Sequence, residues 1–273
     1  MTEICNDICM EERRKKSSKN PFEQKPHELS NIKRVIGVAS GKGGVGKSMV
    51  TSLLAAKMQK LGYNCAILDA DITGPSIPKA FGVDAKIFAN EHGMFPSTTK
   101  NGTKIVSVNL MIENDTDPVM WRAPIICGMV KQFWSEVIWQ DIDFMFVDLP
   151  PGTGDVPLTV YQSLPLEGVI IVSTPQKLVS MIVEKAVKMT TRMQIPILGI
   201  VENMSYVKCP DCNKEINIFG ETRVEETAKL FGVSITDRMP IDPVLTDYID
   251  AGNIEEYEND ILTKIINYLT QTK

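Results

Sequence analysis

Residues 41–46 read GKGGVG; they close the apolar run VIGVAS (35–40) and lead straight into Lys47, Ser48 and a helical pattern. Strand, glycine loop, Lys-Ser and helix in that order match G-x4-G-K-[ST] in its working context, so the chain is expected to fold around a phosphate-binding loop. Gly41, Gly43, Gly44 and Gly46 permit positive φ angles and close approach, letting consecutive amides, Val45 among them, point inward at one phosphate. The positive end of the helix, the Lys47 ammonium on the β and γ oxygens and the Ser48 hydroxyl on magnesium complete an anion cradle for ATP. A glycine-rich turn that merely precedes a helix is the alternative, and the full order of features argues against it.

Short apolar runs recur downstream: CAILDA, KIVSVNL, FMFVDLP, GVIIVST and ILGIVENM. Apolar on both faces, they suit strands of a parallel sheet. Helical patterns lie between them at 47–61, 124–139, 155–163, 176–192 and 222–231, with a last one near 258–271. Strand then helix, repeated, predicts an α/β fold: a doubly wound, mostly parallel sheet with helices on both faces. With 273 residues the chain can bury one large core. Residues 1–30 are polar, broken by two prolines, and read as a flexible tail. Residues 31–273 read as one ATPase domain, with a cysteine loop at 205–220.

Acidic residues fall where such a core needs them. AILDAD brings Asp69 and Asp71 to the tip of the next strand, beside the first strand in the sheet or one place away, and FMFVDLPPGTGD brings Asp148 to the end of another. A single aspartate at a strand end is often only a helix cap or turn residue. Three at the edge that carries the phosphate loop point to function, with Asp148 holding a magnesium-bound water.

Of six cysteines, Cys65 and Cys127 sit in apolar patterns and are expected to be buried thiols. Cys209 and Cys212 form a C-x2-C pair in the polar stretch SYVKCPDCNKEINIFG. Two thiolates can hold one edge of a metal or cluster, but such a site needs four ligands, and no second C-x2-C exists in the chain.

The net charge of −5 is carried by the body, since residues 1–34 hold eight of the 29 Lys/Arg and six of the 34 Asp/Glu. The run Arg13 to Lys16 reads as a solvated tail, so no nucleic-acid partner is assigned. Neither an export-type apolar segment nor a bilayer-length one stands in the sequence; no membrane partner is assigned and a cytoplasmic location is expected. His27 and His92, lone and on polar stretches, are given no role.

Lys42, directly after the first glycine, adds a second lysine to the loop. KGGVGK resembles the deviant phosphate loop of the ATPase class that contains MinD, ParA, the nitrogenase iron protein and the arsenical pump ATPase. DADITGPSIPKAFG (69–82), WRAP (121–124), DLPPGTGD (148–155), STPQ (173–176), VENMSY (201–206) and CPDC (209–212) are similar to motifs of the Mrp/ApbC group of iron-sulfur cluster carrier ATPases. The likeness runs from about residue 33 to the C-terminus.

That resemblance implies a slow, magnesium-dependent ATPase working as a homodimer, with apo iron-sulfur proteins as acceptors. Lys42 would reach the partner's nucleotide, and Asp71 would orient or activate the attacking water. Asp148 would support magnesium, and the Gly152 amide would sense the γ-phosphate. Asn203 would read the adenine edge, with backbone near Pro240 closing the base pocket. Each site would lack a compensating cation until the other chain supplies it. Two positions depart from the group: Ala123 where glycine is usual and Met49 where a hydroxyl residue is common. Neither removes a backbone donor, so packing or rate should change rather than binding. The tail holds only Cys5 and Cys9 where eukaryotic cytosolic relatives carry four cysteines.

A two-fold axis near Cys209 and Cys212 would supply four sulfurs around one shared 4Fe-4S cluster. Zinc in the same cage, a redox C-x2-C and a plain structural knuckle are the other readings of this pair. A rival function is a MinD- or ParA-type positioning ATPase with a structural zinc site. Its membrane forms need a basic amphipathic C-terminal helix, whereas NDILTKIINYLTQTK has an apolar stripe with only Lys264 and Lys273 basic, which suits packing on the domain. An electron donor like the nitrogenase iron protein is a third reading, but its cluster ligands lie well apart in sequence.

Overall fold

The computed structural model describes residues 21–71, 76–84, 86–91, 93–111, 122–176 and 179–271. In chain order the first half carries β1 (Asn31–Ser40), α1 (Lys47–Lys60), β2 (Cys65–Asp69), α2 (Ser76–Ala80), β3 (Phe88–Asn90), β4 (Gly93–Phe95), β5 (Ser97–Thr98) and β6 (Lys104–Ser107). Then come α3 (Ala123–Ser135), β7 (Asp141–Asp148), α4 (Asp155–Ser163), β8 (Gly168–Ser173), α5 (Val179–Arg192) and β9 (Ile197–Lys208). The chain continues through β10 (Glu215–Ile216), α6 (Val224–Leu230), β11 (Thr236–Pro240), α7 (Pro243–Asp250) and α8 (Thr263–Gln271).

Nine strands form one sheet in the order β10-β9-β8-β1-β7-β2-β6-β5, with β11 also on β9. All pairings are parallel except β5 with β6 and β10 with β9. Alternation along the strands divides the core. Val35 and Ala39 of β1 with Met145 and Val147 of β7 face α3, α4, α5 and α6, while Ile36, Val38, Phe144 and Phe146 face α1, α2, α7 and α8. Both faces are therefore covered, as continuous apolar strands require. The doubly wound, mostly parallel α/β expectation holds.

The C-terminal stripe is part of the second core. Ile261, Leu262, Ile265, Ile266 and Leu269 are buried there with α1 and β1 residues. Cys65 is buried; Cys127, expected to be so too, is only partly covered, since it lies on the flank of α3 rather than on its inward row of Ile126, Val130 and Phe133. Met49 packs half-buried against the second core, where its thioether fills space that a hydroxyl would not.

Of the expected tail, residues 21–30 are described, and they are tied to the body. The Gln24 amide donates to the Ser163 carbonyl at 2.8 Å, Trp134 Nε1 to the Gln24 carbonyl at 2.8 Å, and Ser30 Oγ to the Val137 carbonyl at 3.1 Å. Such bonds use main-chain groups, so polar composition gave no sign of them. Cys5 and Cys9 lie outside the described residues.

Candidate functional site

The strands that carry the site end level with one another. Val38 of β1 and Asp69 of β2 are both register partners of Asp148 on β7. Beyond them the chain turns through residues 41–46 into α1, with Gly44 and Gly46 at φ +78° and +81°. Lys47, Ser48 and Thr51 stand on the first turns of α1, over the strand tips.

Asp148 is the hub. It is fully buried, and its Oδ2 accepts from Lys47 Nζ and Ser48 Oγ, each at 2.6 Å, while Oδ1 accepts from Thr51 Oγ1 at 2.6 Å. Lys47 Nζ also lies 3.3 Å from Asp71 Oδ2. Burial alone would push the Lys47 ammonium down, but Asp148 and then Asp71 outweigh it, and its pKa lies above the ordinary lysine value. The cation is therefore present throughout the neutral range. Ser48 and Asp148 put a hydroxyl and a carboxylate side by side, hard oxygen donors of the kind magnesium takes alongside phosphate oxygens.

Asp69 is also buried, accepting from Ser107 Oγ (2.8 Å) and from the Asp71 amide (3.0 Å). Burial, then the Asp148 charge, drives its carboxyl well above the usual range. A raised folded-state pKa means stability that is complete below the unfolded value and falls as pH rises through the folded one. Asp69→Asn, whose Oδ1 still accepts the Asp71 amide and whose Nδ2 donates to Ser107 Oγ instead of accepting from it, removes the charge and is expected to stabilise the protein at pH 7.5 by about 1 kcal/mol. The gain should vanish near pH 4, as urea melts at both pH values will show.

Gly46 has a second reason to be glycine beyond its φ. A Cβ there would lie 2.2 Å from Asn203 Nδ2, because the buried Asn203 amide donates to the Val45 carbonyl at 2.9 Å. Gly46→Ala must push that side chain out of the loop and strain the backbone as well. We expect roughly a tenfold or greater loss of ATP affinity with about 1–3 kcal/mol of destabilisation, measured by titration calorimetry and thermal melts.

Other expected site residues are placed as follows. Lys42 Nζ donates to Gln176 Oε1 at 2.7 Å, outside the Lys47 cluster. The Gly152 amide, at φ +88°, donates to the Ser40 carbonyl at 2.9 Å and so sews the DLPPGTGD loop to the end of β1. Asn203 uses Oδ1 for the Met204 amide at 2.9 Å as well as Nδ2 for Val45, so both ends of its amide group serve the chain. Pro240 ends β11 opposite Tyr206, along the same β9 segment as Asn203.

Cys209 and Cys212 stand apart, on the turn between β9 and β10. The Cys209 amide donates to the Lys214 carbonyl and the Asn213 amide to the Cys209 carbonyl, closing a tight loop with Asn213 at φ +58°. Amides of Asp211 and then Cys212 point at the Cys209 sulfur and lower its pKa, which favours the thiolate that a metal or cluster binds. Among the described residues no group of three or more His, Cys, Asp and Glu side chains could hold a metal. Among the described residues, one chain thus offers two sulfurs at this turn. Beyond them Ile216, Ile218 and Phe219 are 49%, 56% and 42% exposed, an apolar patch beside the pair.

Thr51, Ser107 and Gln176 are site residues that motif reading passes over. Thr51 had a signal, four residues after Lys47 and so on the same helix face; Gln176 ends the STPQ stretch noted above but was given no role there, and Ser107 had no signal.

A family model described as ParA, NUBPL iron-transfer P-loop NTPase, matches residues 31–272. The iron-sulfur cluster carrier protein of Clostridium perfringens is 43% identical over 249 residues, covering 88% of this chain and 87% of that protein. The protein of the same name from Pyrococcus horikoshii is 41% identical over 275 residues, covering 93% of each. Among solved structures, a nucleotide-binding protein from Archaeoglobus fulgidus in complex with ADP superposes with a TM-score of 0.75 at 42% identity, over 84% of this chain and 90% of that one. The septum site-determining protein MinD of Pyrococcus horikoshii, at 20% identity and a TM-score of 0.59 over 89% and 96%, shares the fold. With the loop, the strand-end carboxylates and the cysteine turn in place, the chain belongs to the NUBPL-type iron-transfer P-loop NTPases, the family of the iron-sulfur cluster carrier proteins.

Proposed function

We propose that this chain is an iron-sulfur cluster carrier in which two copies bind and hydrolyse ATP, hold one 4Fe-4S cluster between them, and pass it to apoproteins. The observation that carries this reading is the Cys209–Cys212 turn: an accessible sulfur pair, one thiol biased toward thiolate, with no third ligand in reach among the described residues. Two such turns about a two-fold axis complete a four-thiolate cage. The apolar patch at Ile216, Ile218 and Phe219 suits contact with a second copy.

In the nucleotide site the amides of 41–47 and the Lys47 ammonium would receive the phosphates, and Ser48 with Asp148 would hold magnesium, which would supply neutralisation of phosphate charge. Lys47 then exchanges Asp148 for phosphate oxygen. Asp71, 3.3 Å from Lys47 Nζ, sits where it can orient the attacking water. Lys42, held by one hydrogen bond to the exposed Gln176, is free to swing to a partner's nucleotide. Burial of the C-terminal stripe removes the apolar face that a membrane-positioning ATPase would lay on a bilayer, and no described helix is long and apolar enough to cross one.

Anaerobic reconstitution followed by native mass measurement, with iron and sulfide counted, tests the reading. About four irons per two chains in a dimer, transferable to an apo-acceptor, is the expected result. A metal-loaded single chain would sink the shared cage, and zinc without iron would turn the site into a structural knuckle.

A further inference from the structure

β9 runs unbroken from the sheet core to the cysteine turn and touches the phosphate loop on the way. Asn203 grips the Val45 carbonyl, and its Oδ1 holds the amide of Met204, which sits at φ +55°. A non-glycine residue stays in that region only where its surroundings impose it. Here also the pairing with β11 slips: Arg238 is opposite Glu202, while Pro240 is opposite Tyr206. The bulge in β9 is thus set by the side chain that holds the loop.

Within the bulge, one residue before pairing resumes at Tyr206, stands Ser205. Its hydroxyl donates to the buried Glu202 at 2.6 Å, which also takes Thr222 Oγ1 at 2.6 Å, and it accepts from Arg238 Nε at 2.8 Å. The same guanidinium reaches on to Glu215 Oε2 (Nη1, 3.2 Å) and Asn217 Oδ1 (Nη2, 3.4 Å), and lies 4.9 Å from the centre of the Tyr206 ring. Glu215 and Asn217 belong to the limb returning from Cys212. That limb pairs with β9 at two positions only, Glu215 with Lys208 and Ile216 with Val207. Arg238 therefore joins the exit of the bulge to the far side of the cysteine turn, with a planar fork that lysine cannot reproduce.

We propose that Arg238 is a positioning residue that makes the orientation of the Cys209–Cys212 pair follow the occupancy of the phosphate loop. This rests on the nucleotide and cysteine roles assigned above. Phosphate entering the loop moves Val45, Asn203 moves with it, the Met204 bulge shifts, and the guanidinium carries the shift to the return limb. Coupling of this kind requires differential contacts in two states, and the bulge is the element that has them.

The test is alkylation of Cys209 and Cys212 in the cluster-free full chain, followed by peptide mass spectrometry, with and without a saturating non-hydrolysable ATP analogue. For the natural protein the analogue should change the rate about fivefold or more. In Arg238→Ala the ratio should fall to near one, in Arg238→Lys it should be intermediate, and Glu215→Gln should weaken it without disturbing the fold. A natural-protein ratio of one, or an undiminished ratio in Arg238→Ala, overturns the proposal. Iron bound per chain after reconstitution separates the two failures: cluster bound with no change in thiol rate sinks this inference alone, whereas no cluster sinks the carrier reading.

Discussion

Lys47→Met is expected to reduce ATP hydrolysis by about 10²–10³-fold, since on the proposed reading it removes the buried cation that would meet the transferring phosphate. It should also destabilise the protein at neutral pH by about 3–5 kcal/mol, because Asp148 is fully buried and both it and Asp71 lose the Lys47 ammonium. The sign with pH follows from linkage. The raised Lys47 pKa keeps its contribution intact from acid to beyond neutral and withdraws it only at alkaline pH. The stability gap between the two proteins should therefore stay open through pH 6–9 and narrow in strong alkali. Steady-state hydrolysis and urea melts across that range check both halves, and an unchanged melting midpoint at pH 7 would show that the buried carboxylates do not depend on the lysine.

Cys209→Ser should bring reconstituted iron down to background while leaving ATP binding within about twofold of the natural protein. In the proposed shared cage each substitution would delete two of four sulfurs, so the expected loss is not half but nearly complete. Cys212→Ser should act alike on iron, whereas Cys65→Ser should not, since burial raises the Cys65 thiol and leaves it inert. Visible absorption after anaerobic reconstitution, with calorimetry for nucleotide, separates the outcomes. Full cluster content in Cys209→Ser would end the four-sulfur model.

Much of this architecture could be read beforehand because apolar runs and helical periodicity are local signals. β1, β2, β7, β8 and β9, and α1, α4 and α5, fall where those patterns predicted them. What escaped notice is short or two-sided. β3 and β4 carry no buried residue to set an alternation, and β11 (TDRMP) mixes charge into an inner strand position. α7 is held at its start by Asp242, whose carboxylate receives the Val244 and Leu245 amides, and with only Leu245 of that helix buried it has no apolar stripe to read. Motif order located the phosphate loop and its aspartates. Partnerships between distant positions were invisible: Asn203 meets Val45 across 158 residues and Lys42 meets Gln176 across 134. No spacing rule encodes such contacts, since the fold alone brings them together.

The uneven anchoring of β9 has its own outcome. β1 and β7 share seven register pairs in the buried centre of the sheet, while the sulfur-bearing limb hangs on two. Local opening therefore separates by location: amides around Cys209 and Lys214 should exchange with deuterium orders of magnitude sooner than those of β1. On the proposed reading, a cargo seated on so compliant a tether would be surrendered by a brief unzipping, while the rigid body beneath would keep its shape and its hold on nucleotide.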